Sequence, residues 1–292
     1  MRAKYIWKED TVMPRLSVIS GAYNIGKCYS FEKSMDSILS QSFSDFEFII
    51  CDDGSTDDTW SLLSAYAATD PRIKLLRNEK NLGLAASLNR CIEVSGSEFI
   101  ARHDLDDYNS VDRFEKQIAF FESNPEISVL GCCTSLFDKD GVWAAEQFPE
   151  RVEKRDFLFT SPYKHGSVMF RRDVLIKAGG YRVARETYRT EDYDLFMTLQ
   201  TFTLGANLQE YLYFFCEDKD ARRRRKYRYR IDEAKVRYRG FKKLGLLPRG
   251  IPYVIKPLVV GLIPSFVLEK LKNRSKRRKI IKQTTGERNA LQ

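Results

Sequence analysis

Phe46-Glu47-Phe48-Ile49-Ile50-Cys51-Asp52-Asp53-Gly54-Ser55 and Glu98-Phe99-Ile100-Ala101-Arg102-His103-Asp104-Leu105-Asp106-Asp107 decide the fold, because each is an apolar run that ends in carboxylates. Short apolar runs bounded by turn-forming residues read as buried strands. In an open α/β sheet the ligand crevice lies outside the carboxyl ends of the strands. The two clusters, about fifty residues apart, could therefore line one pocket. Carboxylates gathered there suggest a nucleotide and metal site.

Working outward, the chain alternates strand and helix. Leu16–Ser20 predicts a first strand, and Ile25–Ser42 a helix with Phe31, Met35, Ile38 and Leu39 at helical spacing. A strand over Phe46–Cys51 is followed by a helix over Asp57–Ala68, opened by the capping-type Ser55-Thr56-Asp57-Asp58, then a strand over Ile73–Leu76. Next come a helix over Leu84–Val94, a strand over Glu98–Ala101 and a helix from Asp112 with Phe114, Ile118 and Phe121 on one face. Such repeated βα units predict an α/β fold, a mostly parallel twisted sheet with helices on both faces. Beyond Pro125 the spacing loosens: strands are expected at 127–133 and 166–170, and a helix over 195–202.

The chain has 292 residues, 43% of them apolar, and a mean hydropathy of -0.43, as in a soluble globular protein with a sizeable core. Its net charge of +9 is uneven, with Arg222-Arg223-Arg224-Arg225-Lys226 and Ser275-Lys276-Arg277-Arg278-Lys279 near the end. That asymmetry implies an anionic partner for a basic C-terminal region. Its aromatics Tyr227, Tyr229, Tyr238 and Phe241 favour a membrane surface. A nucleic-acid footprint and a plain solvated helix face compete with that reading, and no nucleic acid is expected. The six cysteines contain no C-x-x-C pair and fit a reducing cytosol. Residues 1–10 lack an apolar core of signal-peptide length. Ile251–Leu268 is apolar but carries Pro252, Lys256, Pro257 and Pro264, so it is expected to lie on a membrane rather than cross one.

Seven motifs in order resemble the inverting family-2 glycosyltransferases of GT-A fold, particularly bacterial members that build surface polysaccharides. They are Ser17–Asn24, Ser37–Phe43, Cys51–Asp57, Asn81–Asn89, Ala101–Asp107, His165–Arg171 and Thr190–Asp194, within residues 14–215. Members often carry threonine or proline where Gly21 or Ala22 stands, and an apolar residue where His103 stands. Past residue 216 the match is loose. The resemblance implies a transferase domain over 14–216 and a basic, partly amphipathic extension over 217–292. The implied reaction is inverting transfer of a hexose from a nucleotide-sugar donor, a UDP-sugar foremost, to a lipid-linked glycan acceptor of O-antigen or capsule type. The implied location is cytoplasmic, peripheral on the inner face of the plasma membrane.

A departing nucleoside diphosphate needs its charge neutralised, which a divalent ion on carboxylates achieves. By resemblance Asp106, Asp104 and Asp107 are the metal group, for Mn²⁺ or Mg²⁺. On a straight strand Asp104 and Asp106 share a face while Asp107 points away. Asp53, Tyr23 and Asp104 are the implied donor-binding residues. Inversion also needs a base opposite the leaving group, for which the resemblance designates Asp192, with Glu191 and His165 toward the acceptor. Each feature also has an ordinary reading. Asp52-Asp53-Gly54-Ser55 is equally a capped turn, Asp104–Asp107 a loop capping the next helix, and Glu191–Asp194 the acidic first turn of a helix. Tyr23 reads as core, His165 as a structural histidine, and Arg102 and Arg113 either as diphosphate contacts or as solvent-facing ion-pair partners. Two other classes stay open: a nucleotidyltransferase, which would release pyrophosphate, and a non-catalytic membrane or nucleic-acid binding protein.

Overall fold

The computed structural model describes residues 13–217 and 227–262. Ten strands form one sheet in the order β3-β2-β1-β4-β9-β6-β10-β5, with β7 beside β6 and β8 beside β10. The first half is parallel: β1 (Leu16–Ala22) lies between β2 (Phe46–Asp52) and β4 (Phe99–Arg102), and β3 (Ile73–Arg77) extends the edge. β9 (Met169–Arg171) is antiparallel to both β4 and β6 (Ile127–Asp138), so β6 runs the same way as β4. β10 (Leu204–Cys216) is parallel to β6. The short β5 (Tyr108–Asn109), β7 (Gly141–Glu146) and β8 (Arg151–Val152) run against their neighbours. The sheet is thus mostly parallel, as expected.

Alternate residues of the central strands feed two cores, because side chains alternate across a strand. Ile19, Ile49 and Ile100 face one cluster with α3 (Leu84–Val94), α5 (Arg172–Ala178) and α6 (Glu191–Leu199). Val18, Phe48 and Ala101 face the other with α1 (Phe31–Leu39), α2 (Thr59–Thr69) and α4 (Arg113–Ser123). Beyond residue 226, α7 (Arg228–Leu244) and α8 (Ile251–Gly261) follow. Val236, Phe241 and Leu244 of α7 join the first cluster, so this helix shares the core of the sheet domain.

Three expected elements shift. Residues 25–30 are loop rather than helix, because Ile25 N donates to Thr59 Oγ1 (2.8 Å) and Gly26 N to Asp57 Oδ2 (3.0 Å), tertiary bonds that a helix would forfeit. Residues 165–167 form a 3₁₀ turn, and the strand begins only at Met169. A Cβ on Gly166 would stand 1.8 Å from the Tyr213 hydroxyl, so the chain approaches β10 too closely for any other residue. The helix expected over 195–202 begins at Glu191 and ends at Leu199, where Phe202 N and Thr203 N close back on the Leu199 carbonyl. The basic runs at 222–226 and 275–279 and the apolar stretch beyond Leu262 lie outside the described residues. Among the described residues no helix is long and apolar enough to cross a membrane.

Candidate active site

Strand order reverses around β1, and the tips of β2 and β4 carry the two acidic clusters to either side of it. At the β2 tip, Asp53 is buried and its carboxylate is saturated: Oδ1 accepts from Asn78 Nδ2 (2.6 Å) and Leu82 N (2.9 Å), and Oδ2 from Gly83 N (2.8 Å). Asp52, also buried, accepts from Ser55 N (3.0 Å) and faces Arg77 Nε at 3.1 Å. Gly54, at φ +69°, lets the turn pass against Lys80, whose carbonyl carbon would stand 2.6 Å from a Cβ. The turn thereby fixes the 78–83 loop. Tyr23 stands beyond the end of β1 and is 47% exposed, not the core residue of its ordinary reading.

The β4 tip is organised differently. Asp107 is fully buried and spends both oxygens internally, accepting from the Tyr213 hydroxyl (2.6 Å) and from Cys216 N (2.6 Å). Burial, with Asp106 and Asp104 nearby, pushes its carboxyl well above the usual range. It therefore anchors the loop on β10 and is not arranged as a third ligand beside Asp104 and Asp106, which corrects the threefold expectation. Asp106 is exposed and Asp104 half-buried. His103, also fully buried, links α1 to β5 through Ser34 (2.8 Å) and Asn109 (3.2 Å). Burial, then Arg113 and Arg102, hold it neutral.

Arg102 and Arg113 are not solvent-facing. Both are fully buried. Arg113 donates to Asn109, Gln117 and the Arg102 carbonyl, which knits α4 to the loop. Arg102 pairs with Asp104 and donates to the His103 carbonyl, while its Nε lacks a hydrogen-bond partner among the described residues. Burial alone would lower its pKa, yet Asp104, Tyr181 and Tyr213 raise it. This cation also opposes protonation of Glu191 and Asp192 across the cleft.

Those two acids open α6. Burial pushes Glu191 up to about 7, with Asp192 adding to the rise. Burial raises Asp192 as well, offset by the backbone N–H of Tyr193 and its own. Asp194 belongs to the structure, gripped by Arg182 at 3.0 and 3.2 Å. Asp192, Asp106 and His165 line one cavity of about 1110 Å³. His165 bonds Tyr181 (2.8 Å) and is kept neutral by burial and then by Arg102. Tyr188 and Arg189 on the α6 side, and Tyr229 and Arg237 of α7, complete that wall. Sequence reasoning missed Tyr213, Tyr181 and the α7 wall, since each reaches the site from a remote element with no local motif.

A mostly parallel sheet with carboxylates at its switch point, facing an acid-bearing helix across a cavity, has a GT-A-type architecture. Glycosyl transferase family 2 matches residues 17–188, over half the chain, and the chain belongs to that family. It is 38% identical over 275 residues to the putative glycosyltransferase EpsE of Bacillus subtilis, covering 94% of this chain and 97% of that one. It is 28% identical over 238 residues to the UDP-Gal:alpha-D-GlcNAc-diphosphoundecaprenol beta-1,3-galactosyltransferase of Escherichia coli, covering 79% of this chain and 84% of that one. Among solved structures, S. aureus TarS 1-349 in complex with UDP-GlcNAc shares the fold, with a TM-score of 0.66 at 19% identity, covering 83% of this chain and 73% of that one. The protein is a glycosyltransferase.

Proposed function

We propose that this enzyme moves a hexose with inversion from a nucleotide diphosphate sugar, a UDP-sugar first, to a hydroxyl of a lipid-linked glycan in surface polysaccharide synthesis. The observation that carries the reading is one cavity shared by Asp106, from the donor-side cluster, and Asp192, from the acceptor-side helix. Asp192, deprotonated, takes the proton of the acceptor hydroxyl as that oxygen attacks the anomeric carbon. Glu191 and His165 border the acceptor. Asp53 shapes the nucleoside pocket through the 78–83 loop, and Tyr23 offers an exposed ring to the base.

Asp104 and Asp106 supply two hard oxygen donors, a set suited to Mn²⁺ or Mg²⁺ when diphosphate oxygens and water complete the shell. Bound there, the ion neutralises charge on the departing diphosphate. Among the described residues no cluster of three His, Cys, Asp or Glu side chains is assembled for a metal. Two protein ligands suit an ion that depends on the donor for the rest.

In this reading residues 14–216 carry the transferase fold, α7 packs into its core, and residues 217–292 bring it to the inner face of the plasma membrane. Support comes from the outward apolar residues Ile251, Ile255 and Val259 of α8, from Leu262 just after it, and from the exposed cations Lys235, Arg239, Lys242 and Lys243 of α7. The decisive experiment measures nucleoside diphosphate release from UDP-, GDP- and dTDP-sugars with a lipid-linked acceptor extract, in Mn²⁺ and in EDTA. Metal-dependent release from one donor is expected; no release from any of them, together with pyrophosphate release from a nucleoside triphosphate and a sugar 1-phosphate, would make the enzyme a nucleotidyltransferase.

A further inference from the structure

Arg189 has a backbone φ of +70°, a region that disfavours any side chain other than glycine's. A non-glycine residue persists there where its surroundings hold it, and such positions gather at ligand clamps. The surroundings here are aromatic. The guanidinium carbon lies 5.2 Å from the Tyr229 ring centroid and 5.9 Å from that of Tyr188, and the two rings are themselves 5.6 Å apart. Tyr188 precedes α6 and Tyr229 comes from the first turn of α7, so two elements meet at this cation, and Arg228 lies over the same Tyr229 ring at 4.9 Å.

The other cations of the cavity wall each have a carboxylate partner, with Arg230 and Arg237 sharing one. Arg155 pairs with Glu153 (2.9 Å), Lys164 with Glu146 (2.8 Å), and Arg230 and Arg237 with Glu233 (3.3 and 3.1 Å). Arg189 alone among them has no carboxylate partner among the described residues. Aromatic faces orient a guanidinium without quenching its charge or occupying its N–H groups, which remain available in the plane. Arg189 is three residues from Asp192, hence within about 10 Å along the chain. That is roughly the span of one sugar ring and the phosphate it carries.

We infer that Arg189, clamped by Tyr188 and Tyr229, binds a phosphate oxyanion of the acceptor while the reacting hydroxyl of the same acceptor lies at Asp192. The substrate class is a sugar held on a phosphate or diphosphate linker, and α7 contributes to acceptor recognition through Tyr229. This rests on the transferase reading above, with Asp192 on the acceptor side. The phosphate can come from a lipid carrier or from a phosphorylated glycan, and both present the same oxyanion to Arg189.

The test is calorimetric titration of the full-length protein, first with UDP and Mn²⁺ and then, with that site saturated, with inorganic pyrophosphate, geranyl diphosphate and geraniol. Failure of the first titration counts against the donor reading and is separate from the second. With UDP in place, the two diphosphates are expected to bind saturably and geraniol not. Arg189→Asn and Arg189→Gly, residues that accept a positive φ, should weaken diphosphate binding about tenfold or more, and Arg189→Lys should restore part of it. Thermal unfolding of the same samples verifies that they fold. Geranyl diphosphate binding tighter than pyrophosphate supports a lipid-carrier source, and equal affinities support a phosphate on the glycan itself. Undiminished affinity in the Asn and Gly variants, or pyrophosphate binding only when UDP is omitted, overturns the inference.

Discussion

Asp52 and Asp53 at the tip of β2, and Asp104 to Asp107 at the tip of β4, flank the same central strand yet use their carboxylates differently. The β2 pair is buried, and Asp53 accepts three hydrogen bonds, two from backbone amides of one loop. The β4 group divides its acids: Asp107 locks onto β10, Asp104 pairs with the buried Arg102, and Asp106 faces the cavity. A buried carboxylate is tolerated when donors surround it, and it is then committed to structure. Asp106 is the exposed acid of the group and lines the cavity. Two clusters that look alike in sequence therefore divide into buried carboxylates that fix loops and an exposed one that lines the cavity.

The largest test of that division is on the cavity. Asp192→Asn should lower kcat by about 10²–10⁴-fold while donor binding, followed by UDP titration, persists. Near-normal turnover would remove Asp192 from the role of base. Asp106→Asn should raise the Mn²⁺ concentration needed for half-maximal rate by about tenfold or more, with the urea midpoint little moved. Asp53→Ala should show the reverse emphasis. It removes the acceptor of the Leu82 and Gly83 amides and of the buried Asn78 side chain, and should cost about 2 kcal/mol in urea unfolding. Equal stability losses at Asp53 and Asp106 would erase the contrast.

Smaller effects sharpen it. Tyr213→Phe leaves Asp107 Oδ2 without its donor and should cost about 1–2 kcal/mol, with a modest fall in rate as the Asp104–Asp106 loop loosens. The pH profile supplies the last prediction. Burial raises both acids at the start of α6, Glu191 to about 7, and the proposed base works only when deprotonated. Activity should thus rise with pH along an acid limb that belongs to the pair. Glu191→Gln removes the member of the pair that titrates near 7, so that limb should move to lower pH. A limb that stays in place would separate Glu191 from the titration.

Much of the donor half could be read directly. Its strands alternate with helices at regular spacing, and its apolar runs end in short acidic turns, so local pattern and tertiary placement agree. Expected helix Leu84–Val94 matches α3 residue for residue. The acceptor half could not be read so far. Its 3₁₀ turn at 165–167 depends on how Gly166 meets Tyr213, and the start of α6 on contacts among the 182–194 residues. Arg102 shows the same limit: in sequence it is one charge beside a motif, and only the packed sheet reveals that it is fully buried.

The sequence by itself determined the α/β alternation, the family, and which acids stand at strand tips, because each follows from periodicity and short-range motif. Only the tertiary structure decided which acids remain available, that Asp106 and Asp192 share a cavity, and that α7 forms part of its wall. Burial, hydrogen-bond saturation and the meeting of distant side chains are properties of the packed chain, and no local stretch of residues encodes them alone.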